Sequence, residues 1–241
     1  LLAAYRKQKG KKLSFSLRTA RAIFTRSKYY ILASLMVTVF QNTDHIMLKM
    51  MAGDAANGYY ATAITCAATV GFLYAAIVDS WRPVILESHQ SDKNRFEKNV
   101  ICLYSVVIYM ALLQSVFYAV FAKYIVFFLY GEQYRPAVPV LQILVWMLSF
   151  SYMGTVRNIW ILAEEKHRFL WIINLCGVTA NVLLNAVAIP LWGACGAAAA
   201  SVVTQFATNF LVGFLLSPIR ENNRLLLKAL NPKWLLEAVR I

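Results

Sequence analysis

The chain has 241 residues, of which 60% are hydrophobic and 15% charged, with a formal net charge of +13. A soluble domain carries about 25% charged and about 45–50% apolar residues, so this composition excludes an ordinary soluble domain. The basic residues lie in short segments between apolar blocks, which argues against nucleic-acid binding; no nucleic-acid partner is expected.

In chain order, Leu1 to Tyr5 reads as the tail of a preceding helix, so the chain is expected to be part of a larger protein. A strongly basic stretch follows, from Arg6 to Lys28, with Leu13, Leu17, Ala20 and Phe24 at helical spacing. This predicts an amphipathic helix at the membrane surface, and residues 1–28 are read as a cytoplasmic linker. Six apolar blocks come next, each long enough to cross ~30 Å of hydrocarbon. They run about Tyr29–Met51, Tyr59–Ile85, Val100–Ala122, Ala137–Ala163, Phe169–Ile189 and Ala194–Leu216. The expected links are Gly53–Gly58, Glu87–Lys98, Glu164–Arg168 and a tight turn at Pro190–Gly193. Tyr124–Tyr130 reads as an aromatic interfacial segment running into the loop Gly131–Pro136. Residues 217–241 read as a second basic amphipathic tail, with Leu226, Leu230, Trp234 and Leu235 against Arg224, Lys228 and Lys233. The fold class is therefore an all-α integral membrane bundle of six transmembrane helices, residues 29–216, flanked by basic surface helices.

Sidedness follows from Lys and Arg. Of 24 such residues, all but Lys49, Lys123 and Arg135 fall on one side of this topology. That side is cytoplasmic by the positive-inside rule, which places both termini there. Cys66, Cys102, Cys176 and Cys195 lie singly in apolar blocks, and His45, His89 and His167 are scattered. No metal site, disulfide framework or cofactor is expected.

Ionisable residues inside a membrane are costly and mark candidate sites. Gln41, Asp44 and His45 share one helix face; Asp44 either binds a coupling proton or cation, tuned by His45, or makes a fixed interhelical hydrogen bond. Asp79 and Arg82 stand one turn apart in the second span, and Arg157 with Asn158 lies at comparable depth in the fourth. Arg82 and Arg157 have the fork geometry to hold a phosphate. The alternatives are an Asp79–Arg82 structural pair and an Arg157 reaching for lipid phosphate. Asn174, Asn181 and Asn185 line one face of the fifth span, and Ser201, Thr204 and Thr208 a stripe of the sixth, beside Gln205 and Asn209. Asn181 and Gln205 suit a sugar in a wet cavity as well as helix packing, whereas Asn185 reads as interhelical glue beside the turn.

Four stretches carry a family resemblance. They are Asp44-His45-Ile46-Met47-Leu48 with Gly53 and Gly58-Tyr59-Tyr60; Phe128-Leu129-Tyr130-Gly131-Glu132-Gln133-Tyr134 with Pro136-Ala137; Asn181-Val182-Leu183-Leu184-Asn185 with Ile189-Pro190 and Gly193; and Gly196 to Ala200. In this order and spacing they resemble the C-terminal half of Wzx-type polysaccharide flippases, in the superfamily of MATE multidrug exporters. Many relatives carry an Arg early in the second span of this half; Thr65 stands near that place here, and the nearest basic residue is Arg82. The resemblance implies one lobe of a transporter of twelve or more helices in the cytoplasmic membrane. It would flip polyprenyl-pyrophosphate-linked oligosaccharide to the outer leaflet by alternating access. Its partners would be that lipid-linked oligosaccharide, membrane lipids, the N-terminal half of the same transporter and the polysaccharide polymerase machinery. The headgroup and sugar candidates are then Arg82, Arg157, Asn158, Asn181 and Gln205; the ion-coupling or gating candidates are Asp44, His45 and Asp79.

Three other readings compete, one of them a non-transporting scaffold. A MATE-type drug exporter would favour an acid-lined cavity for cations, against which the inner basic residues argue. A membrane enzyme acting on the same lipid would call for clustered acids or histidines, or a sizeable loop, and neither is present; the protein is expected not to be an enzyme. With no P-loop, an ion gradient is the expected energy source.

Overall fold

The computed structural model describes residues 16–238; the start of the basic stretch, Arg6 to Phe15, and Arg240 lie outside them, as does the side chain of Gln41. Among the described residues the fold is all-helical, with no strand. The α-helices are α1 (Leu17–Ala68), α2 (Gly71–Ser91), α3 (Lys93–Tyr130), α4 (Ala137–Ala163), α5 (Leu170–Phe206), α6 (Val212–Leu215), α7 (Arg220–Ala229) and α8 (Lys233–Ala238). A π turn, Ala207–Leu211, joins α5 to α6.

Two of these helices fold back on themselves. Gly53 in α1 has φ 86° and ψ 177°, and Gly193 in α5 has φ 55° and ψ −130°. Both conformations are open to glycine and strained for other residues. The reversals are visible in what they bring together. The Tyr60 hydroxyl donates to Asp44 at 2.6 Å across sixteen residues, and Asn181 Nδ2 to Ser201 Oγ at 3.3 Å across twenty. In a straight helix those separations would be ~24 and ~30 Å. The expected links are thus shorter than the composition implied. Residues 54–58 are already helical, and Pro190 lies inside the helix before the reversal.

The two limbs of α5 pack closely because Gly196 has no side chain: a Cβ there would stand 2.1 Å from the Ala188 carbonyl oxygen. Backbone cannot yield cheaply, so Gly196→Ala is expected to destabilise the fold by ~1–3 kcal/mol. A thermal midpoint in detergent checks this.

The second expected span is broken. The helix stops at Ala68 and restarts at Gly71, bent by 46°. Backbone groups freed inside a membrane must find partners nearby. Here Tyr118 and Thr69 hydroxyls donate to the Cys66 carbonyl at 3.0 and 2.8 Å, and Gln114 Nε2 donates to the Ala67 carbonyl at 3.1 Å.

Three further expectations change. Tyr124–Tyr130 continues α3 without a break, since no Gly or Pro interrupts the chain until Gly131. The polar link Glu87–Lys98 is mostly helical: only Asp92 leaves the helix, and its carboxylate caps α3 by accepting the Asn94 N–H at 2.9 Å. The C-terminal tail does not lie free on a surface. Leu225 and Leu226 are buried in the core formed with Phe96, Leu103, Tyr104 and Trp160. Tyr104 donates to Asn222 at 2.9 Å, Tyr109 donates to the Leu230 carbonyl at 2.8 Å, and Lys93–Glu221 and Lys98–Glu237 add ion pairs.

By length and composition, three helical stretches can cross a membrane: Lys93–Tyr130, Ala137–Ala163 and His167–Leu215. The bent pair Ser34–Ala68 and Gly71–Ser91 makes a fourth if counted as one span. Leu113, Val120, Phe128, Leu183, Val187 and Leu191 point outward, each more than 60% exposed. Such an apolar exterior suits lipid and not water.

Candidate functional site

Four elements converge on one cavity of about 450 Å³. From α4 come Met147, Ser151, Gly154, Thr155 and Asn158, at helical spacing along one face, with Arg157 beside them. Asn174 and Gly177 come from α5, and Gln205, Thr208 and Asn209 from its end and the π turn. Asp44 reaches in from α1. The walls meet through missing side chains: a Cβ on Gly154 would stand 2.3 Å from Asn209 Oδ1, and one on Gly177 2.9 Å from Thr208 Cγ2.

Arg157 is 4% exposed. Its Nη1 donates to the Thr208 carbonyl at 2.8 Å and its Nη2 to Asn158 Oδ1 at 3.2 Å, while Nε has no hydrogen-bond partner. Among the described residues it forms no ion pair. A buried guanidinium without a carboxylate is costly, and that cost is offset when an anion occupies the space beside it. The Thr208 carbonyl belongs to the π turn, a distortion frequent at functional sites.

Asp44 is 5% exposed and accepts three hydrogen bonds. Tyr60 Oη and Ser201 Oγ donate to one carboxylate oxygen at 2.6 and 2.5 Å, and Asn185 Nδ2 donates to the other at 2.6 Å. Asn185 also donates to Asn181 Oδ1 at 3.1 Å, and Asn181 donates to Ser201 at 3.3 Å. The ring Asp44–Asn185–Asn181–Ser201 therefore ties the first limb of α1 to both limbs of α5, and Tyr60 adds the second limb of α1.

The candidates from the sequence divide in space. Asp44, Arg157, Asn158 and Gln205 line the one cavity. Asn181 is fully buried behind its wall, in the ring just described. His45 faces elsewhere: its Nδ1 pairs with Asn57 Oδ1 at 2.8 Å across the Gly53 reversal, and its ring meets Tyr60 edge-on. Asp79 and Arg82 form a half-exposed ion pair at 3.2 Å outside the cavity. Exposed pairs contribute ~0–1 kcal/mol, so Arg82→Gln is expected to leave the thermal midpoint within a degree or two. Ser151, Thr155 and Tyr60 were not among the candidates. The i, i+4, i+7 spacing of Ser151, Thr155 and Asn158 was the available signal for the first two.

Apolar helices long enough to cross a membrane, packed around a cavity with a buried cation and a buried carboxylate, fit a membrane protein. The match to known families adds the biological setting. The chain belongs to a family described as polysaccharide biosynthesis protein, whose model matches residues 2–139, more than half of the sequence. That match takes in Asp44, His45, Asp79 and Arg82, and ends before Arg157, Asn158, Asn181 and Gln205. No match is found among curated proteins, and none among solved structures.

Proposed function

We propose that the chain is a six-span lobe, residues 29–216, of a transporter that moves polyprenyl-pyrophosphate-linked oligosaccharide from the cytoplasmic to the outer leaflet. The carrying observation is Arg157, a buried guanidinium with no ion pair among the described residues, facing a cavity whose one other charged wall group, Asp44, is already held by Tyr60, Ser201 and Asn185. A pyrophosphate supplies the missing negative charge, and the planar fork of Arg matches its oxygens. Asn158, Asn174 and Gln205 suit the first sugar. The reversals at Gly53 and Gly193 support six strokes of the chain, and the Lys and Arg distribution supports cytoplasmic termini.

In this reading the lobe works with the N-terminal half of the same transporter, rocking around the cavity, in the cytoplasmic membrane and alongside the polymerase machinery. Asp44 is the coupling group. Its three donors hold a carboxylate that, once protonated, keeps its shape but no longer needs all of them, which loosens the tie between α1 and α5. No bond of the substrate is made or broken, so the protein is a transporter and not an enzyme. The family match to polysaccharide biosynthesis supports this over a drug exporter.

The test is leaflet transfer of a fluorescent polyprenyl-pyrophosphate oligosaccharide by the full-length protein in proteoliposomes under an ion gradient. Protein-dependent transfer is expected. Transfer no faster than in protein-free liposomes, or transport of lipophilic cations in its place, overturns the reading.

A further inference from the structure

A second concavity, of about 440 Å³, opens at the far end of the helices from Arg157. It lies between the Gly53 reversal and the 3-10 turn Glu132–Tyr134 that follows α3. Arg157 stands roughly 30 Å along α4 from Ala137, so this cleft is a different place from the central cavity. Its floor is Ala55 and Gly58, one helical turn apart. Gly58 has ordinary helical backbone, and a Cβ built on it would meet nothing within 4 Å, so the missing side chain is open space. Tyr59 and Tyr134 form the walls, edge to face at 6.2 Å, with Tyr130 tilted behind Tyr134 at 5.4 Å. Asp54 and Gln133 stand on the rim.

The chemistry of this cleft is selective. Among the described residues, the hydroxyls of Tyr59 and Tyr134 and the carboxamide of Gln133 make no hydrogen bond. None of the residues lining the cleft is a cation, and Asp54 gives one carboxylate oxygen to Lys49 at 3.3 Å. A phosphate would need a free cation, and a purely apolar guest would waste four polar groups. A pyranose fits both sets. Its C–H faces pack on phenol rings, and its hydroxyls bond to planar carboxylate and carboxamide groups. We infer that this cleft is a carbohydrate-binding subsite at the exit face, which takes one or two sugars of the glycan after its headgroup has crossed. Its role rests on the exporter reading; its sugar binding does not.

Ligand-detected saturation-transfer NMR tests this, with the full-length protein in lipid nanodiscs and maltotriose, chitotriose and trigalacturonate as probes. The wild type is expected to transfer saturation to the ring protons of at least one probe. Gly58→Phe, which fills the cleft without entering the core, and Tyr134→Ala should each reduce that transfer at least fivefold. Arg82→Gln, at the half-exposed ion pair outside both concavities, should leave it intact. No transfer from the wild type to any probe, or equal transfer in wild type and Gly58→Phe, overturns the subsite. If sugar binding fails while leaflet transfer persists, only the cleft is lost; if leaflet transfer fails while Gly58→Phe abolishes sugar binding, the cleft stands without the exporter.

Discussion

Replacing Arg157 with Met is expected to reduce leaflet transfer by at least ~30-fold, in line with the ~2–5 kcal/mol lost when one partner of a buried charged contact is removed. The same substitution should not lower the thermal midpoint. Among the described residues the guanidinium has no ion pair, so its removal relieves a desolvation cost, and Met occupies a similar length of cavity. A loss of transport without a loss of stability is the signature of a binding group. Parallel losses in both measurements would make Arg157 a structural residue. Arg157→Lys should recover only part of the activity, because an ammonium cannot bridge Thr208, Asn158 and a pyrophosphate with one planar fork.

The second large effect is at Asp44. Truncation to Ala removes the acceptor of three buried donors and is expected to destabilise the fold by ~3–5 kcal/mol, as breaking a buried charged network does. Asp44→Asn keeps the shape. The Tyr60 and Ser201 hydroxyls can turn to accept from the new amide, so its cost should be nearer ~1 kcal/mol. Transport driven by an imposed ion gradient then separates the roles. With Asp44→Asn, gradient dependence should vanish while the thermal midpoint changes little. Retained gradient dependence in Asp44→Asn would leave Asp44 with a structural role alone.

Arg82 and Arg157 show where sequence reading stops. Both are arginines in an apolar block, at similar depth by residue count, each with a polar neighbour. In the fold, Arg82 turns outward to Asp79, and Arg157 turns inward to the π turn. Nothing local separates them, because the direction of a helix face depends on which helices pack around it. Asp44 was legible as a carboxylate inside a span. Its partners Tyr60, Asn185 and Ser201 were not, since they stand 16, 141 and 157 residues away. Asn185 read as helix glue, and it is a hydrogen bond between helices; what the sequence could not show is that the acceptor is Asp44. The Tyr124–Tyr130 boundary failed for another reason. Aromatic composition resembles an interfacial belt, but a helix continues until a breaker stops it, and the next breaker is Gly131.

The order of amino acids alone determined the helical, apolar character of this chain, because blocks of hydrophobic residues leave the backbone no solvent partner and force it to bond to itself. It also placed the two reversals near their glycines, where a positive φ costs least. Only the tertiary packing decided which polar side chains share a cavity, since contact across helices is set by rotation about each helix axis, and that rotation is chosen by all the neighbours at once.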